Sequence, residues 1–340
     1  MITFRWFGQR DPIPLAYIRQ IPAVRGIVGA LFDIPVGEVW TLDRLARLRG
    51  DVEEHGMSLE VIESVPVHED IKLGLPTRDW YIDNYCESVQ NIGRAGVRVL
   101  CYNFMPVFDW MRTELARPLA DGSTALAYED SALARIDLSS GTAELPGWAT
   151  AYSAREMSTL LDAYRSLDES ILWENLAHFL ERVVPVAASS RVKMALHPDD
   201  PPWSIFGLPR IITSGAALER VINIVDDAAN GITFCAGSLA ADAGNNLDEI
   251  IRCVGGRGRI HFAHCRNIKR TGVRSFQETA HPSDQGDIDM RAVLGTLYET
   301  GFNGPIRSDH GRMIWGETGQ PGYGLYDRAL GAMYLHGLWE

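Results

Sequence analysis

The chain has 340 residues, 46% hydrophobic and 22% charged, and its 44 acidic side chains against 32 Lys and Arg leave a formal charge of -12. That length and apolar content suit two ordinary domains or one large α/β barrel. The acidic balance, without a Lys/Arg block, argues against nucleic acid or an anionic membrane as main partner, yet leaves room for a basic pocket holding a small acid.

No run approaches the roughly 18 apolar residues of a membrane span, and Met1 to Arg10 lacks the apolar core of a signal peptide. A cytoplasmic setting is expected. The five cysteines, Cys86, Cys101, Cys235, Cys253 and Cys265, are odd in number and form no CxxC pair, which fits a reduced compartment.

In chain order, apolar runs bounded by Gly or polar residues predict strands at Gly26 to Leu31, Leu59 to Glu63, Val97 to Tyr102 and Val192 to His197. Others follow at Ile232 to Cys235, Ile260 to His264, a weak run at Val273 to Phe276, and Pro305 to Ser308. Between them, Leu218, Val221, Ile222 and Val225, and again Met290, Val293, Leu294 and Leu297, recur at helical spacing. Thr77 before Arg78 to Val89 and Asn246 before Leu247 are candidate helix caps, and a last helix is expected from Tyr326 to Leu338.

Eight strands alternating with helices over this length predict a (β/α)8 barrel with parallel strands covered by helices. The rival is a doubly wound open sheet, but no GxGxxG or GxxxxGK[ST] loop follows any run, so no nucleotide cofactor is expected. The stretch from Phe104 to Trp148, rich in Pro, Gly and Trp, is expected to be a long insertion after the third strand, a lid at the functional face of a single domain spanning residues 1–340.

In such a barrel the chemistry sits just beyond the strand ends. Four of the runs lead into His197, Cys235, His264 and Asp309. Imidazole, thiolate and carboxylate together suit one divalent transition metal such as Mn, Fe, Co or Zn. A lone His or buried Cys is usually structural, so the weight falls on four ligand types at four corresponding positions. His261 and His264 are three residues apart and face opposite sides of a strand, which favours His264, nearer the strand end.

His310 follows Asp309, and Tyr323 lies in a Gly-rich turn where its phenol could move a proton; each also has an ordinary reading, as an orienting residue and as a packing aromatic. Glu63, Tyr102, Asn103, Glu278 and His281 follow other runs. The Val67 to Lys72 segment, with His68, is either a sugar-acid contact or a solvated loop.

Several long strings carry a resemblance: Thr3 to Gly8, Val61 to Lys72, Tyr102 to Trp110, His197 to Pro202, Phe234 to Ser238, His264 to Asn267, Ser308 to Gly311 and Gly322 to Ala329. Through them the sequence resembles the mannonate dehydratases over nearly its whole length. The resemblance implies a xylose-isomerase-like barrel and a manganese or ferrous ion. It also implies conversion of D-mannonate to 2-dehydro-3-deoxy-D-gluconate, with loss of water, in hexuronate breakdown.

Carried over, it implies His197, Cys235, His264 and Asp309 as metal ligands and His310 and Tyr323 as proton-moving groups. Trp6, Glu63, His68, Tyr102, Asn103 and Arg266 are the expected substrate contacts. A homodimer or larger homo-oligomer is expected. The alternative is a metal-dependent sugar or sugar-acid isomerase or epimerase on the same barrel.

Overall fold

The computed structural model describes residues 1–136, 154–165 and 167–340. Its strands, in chain order, are β1 (Ile2–Arg5), β2 (Val24–Gly29), β3 (Ser58–Glu63), β4 (Val99–Tyr102), β5 (Glu114–Pro118) and β6 (Thr124–Glu129). They continue with β7 (Lys193–Leu196), β8 (Asn230–Cys235), β9 (Ile260–His264), β10 (Ile268–Gly272), β11 (Ser275–Glu278) and β12 (Ile306–Arg307). Eight of them close a barrel in the order β1-β12-β9-β8-β7-β4-β3-β2, and neighbouring strands in it run parallel. The other four form an antiparallel sheet, β10-β11-β6-β5.

The barrel matches the expected fold class, with two changes in how the strands are counted. Ile2–Arg5, absent from the predicted strands, is the first barrel strand. The weak run at Val273 to Phe276 is not a barrel strand: Val273 is 93% exposed beside the turn of a hairpin, and the following Ser275–Glu278 pairs antiparallel with β6 and β10. The long connection therefore follows the fourth barrel strand, not the third. Its residues 104–136 contribute β5 and β6, and the remainder of the expected lid, 137–148, lies outside the described residues.

Apolar side chains divide into two cores. Val28, Val61, Val99, Cys101, Ala195 and Phe262 fill the barrel interior, and a far larger cluster packs the strands against the surrounding helices. The helices Gly215–Ile224, Met290–Glu299 and Tyr326–Trp339 lie where the periodicity places them. Asn246 caps as expected, its side chain accepting from the Glu249 amide. Thr77 does not cap the helix Arg78–Arg94, because its hydroxyl is drawn to the Asp70 carboxylate instead.

Candidate active site

Strand alternation builds the site in layers. Side chains two residues apart share a face, so the interior positions Val61, Val99, Ala195, Thr233 and Phe262 are each followed, one layer up, by Glu63, Cys101, His197, Cys235 and His264. Thr3 is followed in the same way by Arg5, and Arg307 by Asp309. The apolar layer becomes a floor, with the Phe262 ring edge-on to His264 at 4.6 Å. Above it lies a cavity of about 480 Å³. Asp309 has a left-handed backbone, φ 61°, which short polar residues tolerate better than most. This break in alternation lets consecutive Asp309 and His310 both face the cavity.

The four expected ligands converge. Cys235 is in register with His264 across β8 and β9, and donor atoms of His197, Cys235 and His264 all lie within 4.8 Å of one another. Asp309 approaches Cys235 Sγ at 3.9 Å and His264 Nδ1 at 3.8 Å. His197 Nδ1 donates to the Pro198 carbonyl at 2.6 Å, so its Nε2 presents a lone pair to His264 Nδ1, 3.2 Å away. His264 Nε2 is buried without a hydrogen bond and faces Glu63 Oε1 at 3.4 Å. A proton on that Nε2, turned to Glu63, leaves Nδ1 bare toward His197, an arrangement a cation relieves.

Burial lowers the proton affinity of both His197 and His264, keeping the imidazoles neutral, as ligation needs. Burial pushes the Cys235 thiol up to about 12, so thiolate formation here calls for a local cation. Asp309 goes the other way: burial would raise it, but the charged groups around it, with the Arg307 and Arg266 guanidiniums bonded directly to its oxygens, hold it well below the ordinary carboxylate value. Two neutral imidazoles, a thiol and an ionised carboxylate fit one divalent transition ion. A second group, Glu63, Cys101 and His264, shares His264 with the first, but Arg307 Nη1 stands 3.2 Å from Glu63 and makes that corner cationic already.

Beside these donors stands an acid-base chain. His310 Nδ1 lies 2.8 Å from Glu278 Oε1, and His310 Nε2 lies 2.9 Å from Tyr323 Oη. With Nδ1–H donated to the carboxylate, Nε2 accepts from the phenol. Burial raises the Tyr323 phenol above its ordinary value, so it rests protonated. Glu278 is in turn gripped by Arg112, which also forms a two-pronged pair with Asp200. Arg266 bonds Asp309 at 2.6 Å and Asp200 at 2.8 Å, and Arg307 bonds Asp309 at 2.5 Å. Trp110 packs 4.9 Å from the His310 ring.

Of the expected substrate contacts, Glu63, Tyr102, Asn103 and Arg266 line the cavity, and the buried Tyr102 hydroxyl has no hydrogen-bond partner among the described residues. The structure does not bring Trp6 or His68 to the cavity. Trp6 falls on the opposite face from its lining neighbours Arg5 and Phe7, inside the strand–helix core. His68 stacks on Tyr81 at 3.5 Å and caps the helix Glu69–Leu73 by accepting from the Asp70 amide. His281 is behind β12, hydrogen-bonded to the Ser308 carbonyl, and His261 points outward to the Met194 carbonyl. Sequence reasoning missed Arg5, Asp200 and Arg307. Recognising Ile2–Arg5 as a strand would have exposed the first and the period-2 offset from Asp309 the third.

The model of the family described as D-mannonate dehydratase (UxuA) matches residues 1–340. Mannonate dehydratase 2 of Halalkalibacterium halodurans is 55% identical over 339 residues, covering 100% of this chain and 98% of that protein. The mannonate dehydratase of Streptococcus agalactiae serotype III is also 55% identical, over 100% and 97%. The crystal structure of mannonate dehydratase from Streptococcus suis serotype 2 superposes with a TM-score of 0.93 at 49% identity, covering 100% of this chain and 93% of that one. A D-psicose 3-epimerase from Clostridium cellulolyticum H10, at 11% identity and a TM-score of 0.58, shares the barrel alone. With a full-length family match and relatives more than half identical throughout, the chain belongs to the D-mannonate dehydratase family.

Proposed function

We propose that this chain is a hydro-lyase that converts D-mannonate to 2-dehydro-3-deoxy-D-gluconate and water. The observation that carries the reading is the His310–Tyr323 pair, hydrogen-bonded at 2.9 Å and set against the His197, Cys235, His264 and Asp309 donors in one cavity. Those four residues would hold a manganese or ferrous ion, which supplies Lewis acidity to spread the charge that develops beside the substrate carboxylate.

The protein's own part is proton movement. One of His310 and Tyr323 takes the C2 proton, and the other gives its proton to the C3 hydroxyl, which leaves as water as the C2–C3 double bond forms. The enol then ketonises, with a proton added at C3. The direct hydrogen bond between imidazole and phenol offers a path to restore both groups to their starting state. Glu278 holds the imidazole tautomer in which Nε2 is free to take part. Arg112, Arg266 and Arg307 keep the carboxylates of this wall ionised and fixed.

On this reading the protein acts in cytoplasmic hexuronate breakdown, as a homodimer or larger assembly. Among the described residues, no helix is long and apolar enough to cross a membrane. Product analysis tests the reaction class. Elimination gives a keto-deoxy acid one water lighter than D-mannonate, whereas isomerisation or epimerisation keeps every oxygen and would overturn the assignment.

A further inference from the structure

Three arginines line the cavity, and two of them are already paired. Arg266 is bound to Asp200 and Asp309, and Arg307 to Glu63 and Asp309. The third, Arg5, is different. It is 7% exposed, yet among the described residues its guanidinium makes no hydrogen bond and no ion pair, and its Nη1 is a buried donor without an acceptor. The group lies over two aromatic rings instead, 4.9 Å from the centre of Phe7 and 5.3 Å from that of Phe32. Aromatic faces stabilise a cation and fix its plane, but they accept none of its N–H bonds in line.

A buried, permanently charged side chain with open donors is costly unless something anionic completes it. Among the described residues nothing does so. The position of Arg5 explains why: it ends β1, two residues beyond Thr3 on the same face of the strand, and lines the cavity. Its cavity neighbours include Glu63, Arg307 and Tyr323. Its fork of N–H groups matches a carboxylate in shape as well as charge.

We propose that Arg5 is the anchor for the carboxylate of the sugar-acid substrate and the residue by which the site prefers the acid over an uncharged sugar derivative of equal size. The inference rests on the dehydratase reading for the identity of the acid, but the unpaired guanidinium stands without it. Arg5 is a binding and specificity residue; the proton chemistry remains with His310 and Tyr323. The aromatic pair Phe7 and Phe32 keeps the fork turned to the cavity and excludes water from the ion pair that forms.

The test compares D-mannonate with its neutral primary amide, which differs only at the carboxyl group, by calorimetric binding to the metal-loaded protein. The wild type should bind the acid at least tenfold more tightly than the amide. In Arg5→Met that preference should fall by at least tenfold, with the amide's own affinity changed less than about threefold. Arg5→Gln, similar in length and able to hydrogen-bond, repeats the measurement if the Met variant fails to fold. A folded variant that keeps the wild-type preference to within twofold overturns the proposal. Wild-type protein that binds both compounds but forms no keto-deoxy acid refutes the dehydratase reading instead, and the affinity ratio still judges Arg5.

Discussion

His310 stands between two neighbours with different roles, since Glu278 on Nδ1 fixes its orientation and Tyr323 on Nε2 shares its proton. Positioned proton transfer contributes about 10²- to 10⁴-fold to such reactions. His310→Gln should therefore lower kcat by at least about 100-fold while metal content, read by elemental analysis, stays at the wild-type level. Near-normal turnover would remove it from the chemistry. Cys235→Ala separates the other function of the site. The buried thiol is placed to become a metal-bound thiolate, so metal content and activity should fall together, and full occupancy in that variant would exclude Cys235 as a ligand.

His261 gives a stability prediction at the same scale. Burial lowers it from the ordinary 6.5 to about 4, so the folded protein holds this ring neutral while the unfolded chain takes up a proton below pH 6.5. Its contribution is fully present above pH 6.5 and is lost as pH falls toward 4, on the order of 3 kcal/mol at the limit. Denaturant unfolding of His261→Gln should show a flatter decline over that window than the wild type. The depressed His197 and His264 are common to both proteins and cancel in the comparison. An unchanged slope would contradict a neutral, buried His261.

Among the elements, the last helix is fitted closely to the segment that leads from β12 into Asp309. Gly331 leaves no room for a side chain: an added Cβ would lie 2.4 to 2.6 Å from the ring of His281, which is itself bonded to the Ser308 carbonyl. Gly331→Ala should cost about 1–3 kcal/mol by overpacking, despite the better helix propensity of Ala. A more stable variant, by denaturant midpoint, would show that propensity wins.

Elements also set how much was legible beforehand. Parallel strands rich in apolar residues between amphipathic helices, such as Val99–Tyr102 and Lys193–Leu196, are readable because both faces are buried and nearly every residue tends apolar. Ile2–Arg5 escaped because it is four residues long and ends in a charge, which argues against a strand until the barrel interior supplies a reason for it. Val273 misled for the opposite reason, an apolar residue exposed at a hairpin. The ligands were legible because polar residues immediately after apolar runs are unusual and lie in one layer. Glu278 was visible only as one strand end among several, since its pairing with His310 and Arg112 spans separations of 32 and 166 residues. Trp6 failed as a site residue by parity alone, with Arg5 and Phe7 taking the interior face.

At the scale of the whole molecule, buried ion pairs tie the cavity wall together, joining Glu63 of β3, Glu278 of β11 and Arg307 of β12 to Asp200, Arg266 and Asp309 just beyond their strands. A chain of net charge -12 thus still sets three arginines around one cavity, where a basic patch can receive a small acid. The metal donors come from four different strand ends. Occupation of that centre is linked to the closed barrel and should raise its stability as well as its activity, by about 2.7 kcal/mol when the ion is present at 100 times its Kd.

Turnover of D-mannonate by metal-stripped protein, with and without added Mn²⁺, Fe²⁺ or Zn²⁺, probes the metal centre and the dehydration together. The stripped protein should form no product, and the 2-keto-3-deoxy acid should appear once Mn²⁺ or Fe²⁺ is restored. A folded protein that gives no keto-deoxy acid with any of the three ions, or that gives it equally well after the metal is removed, would contradict a metal-assisted dehydration at this site.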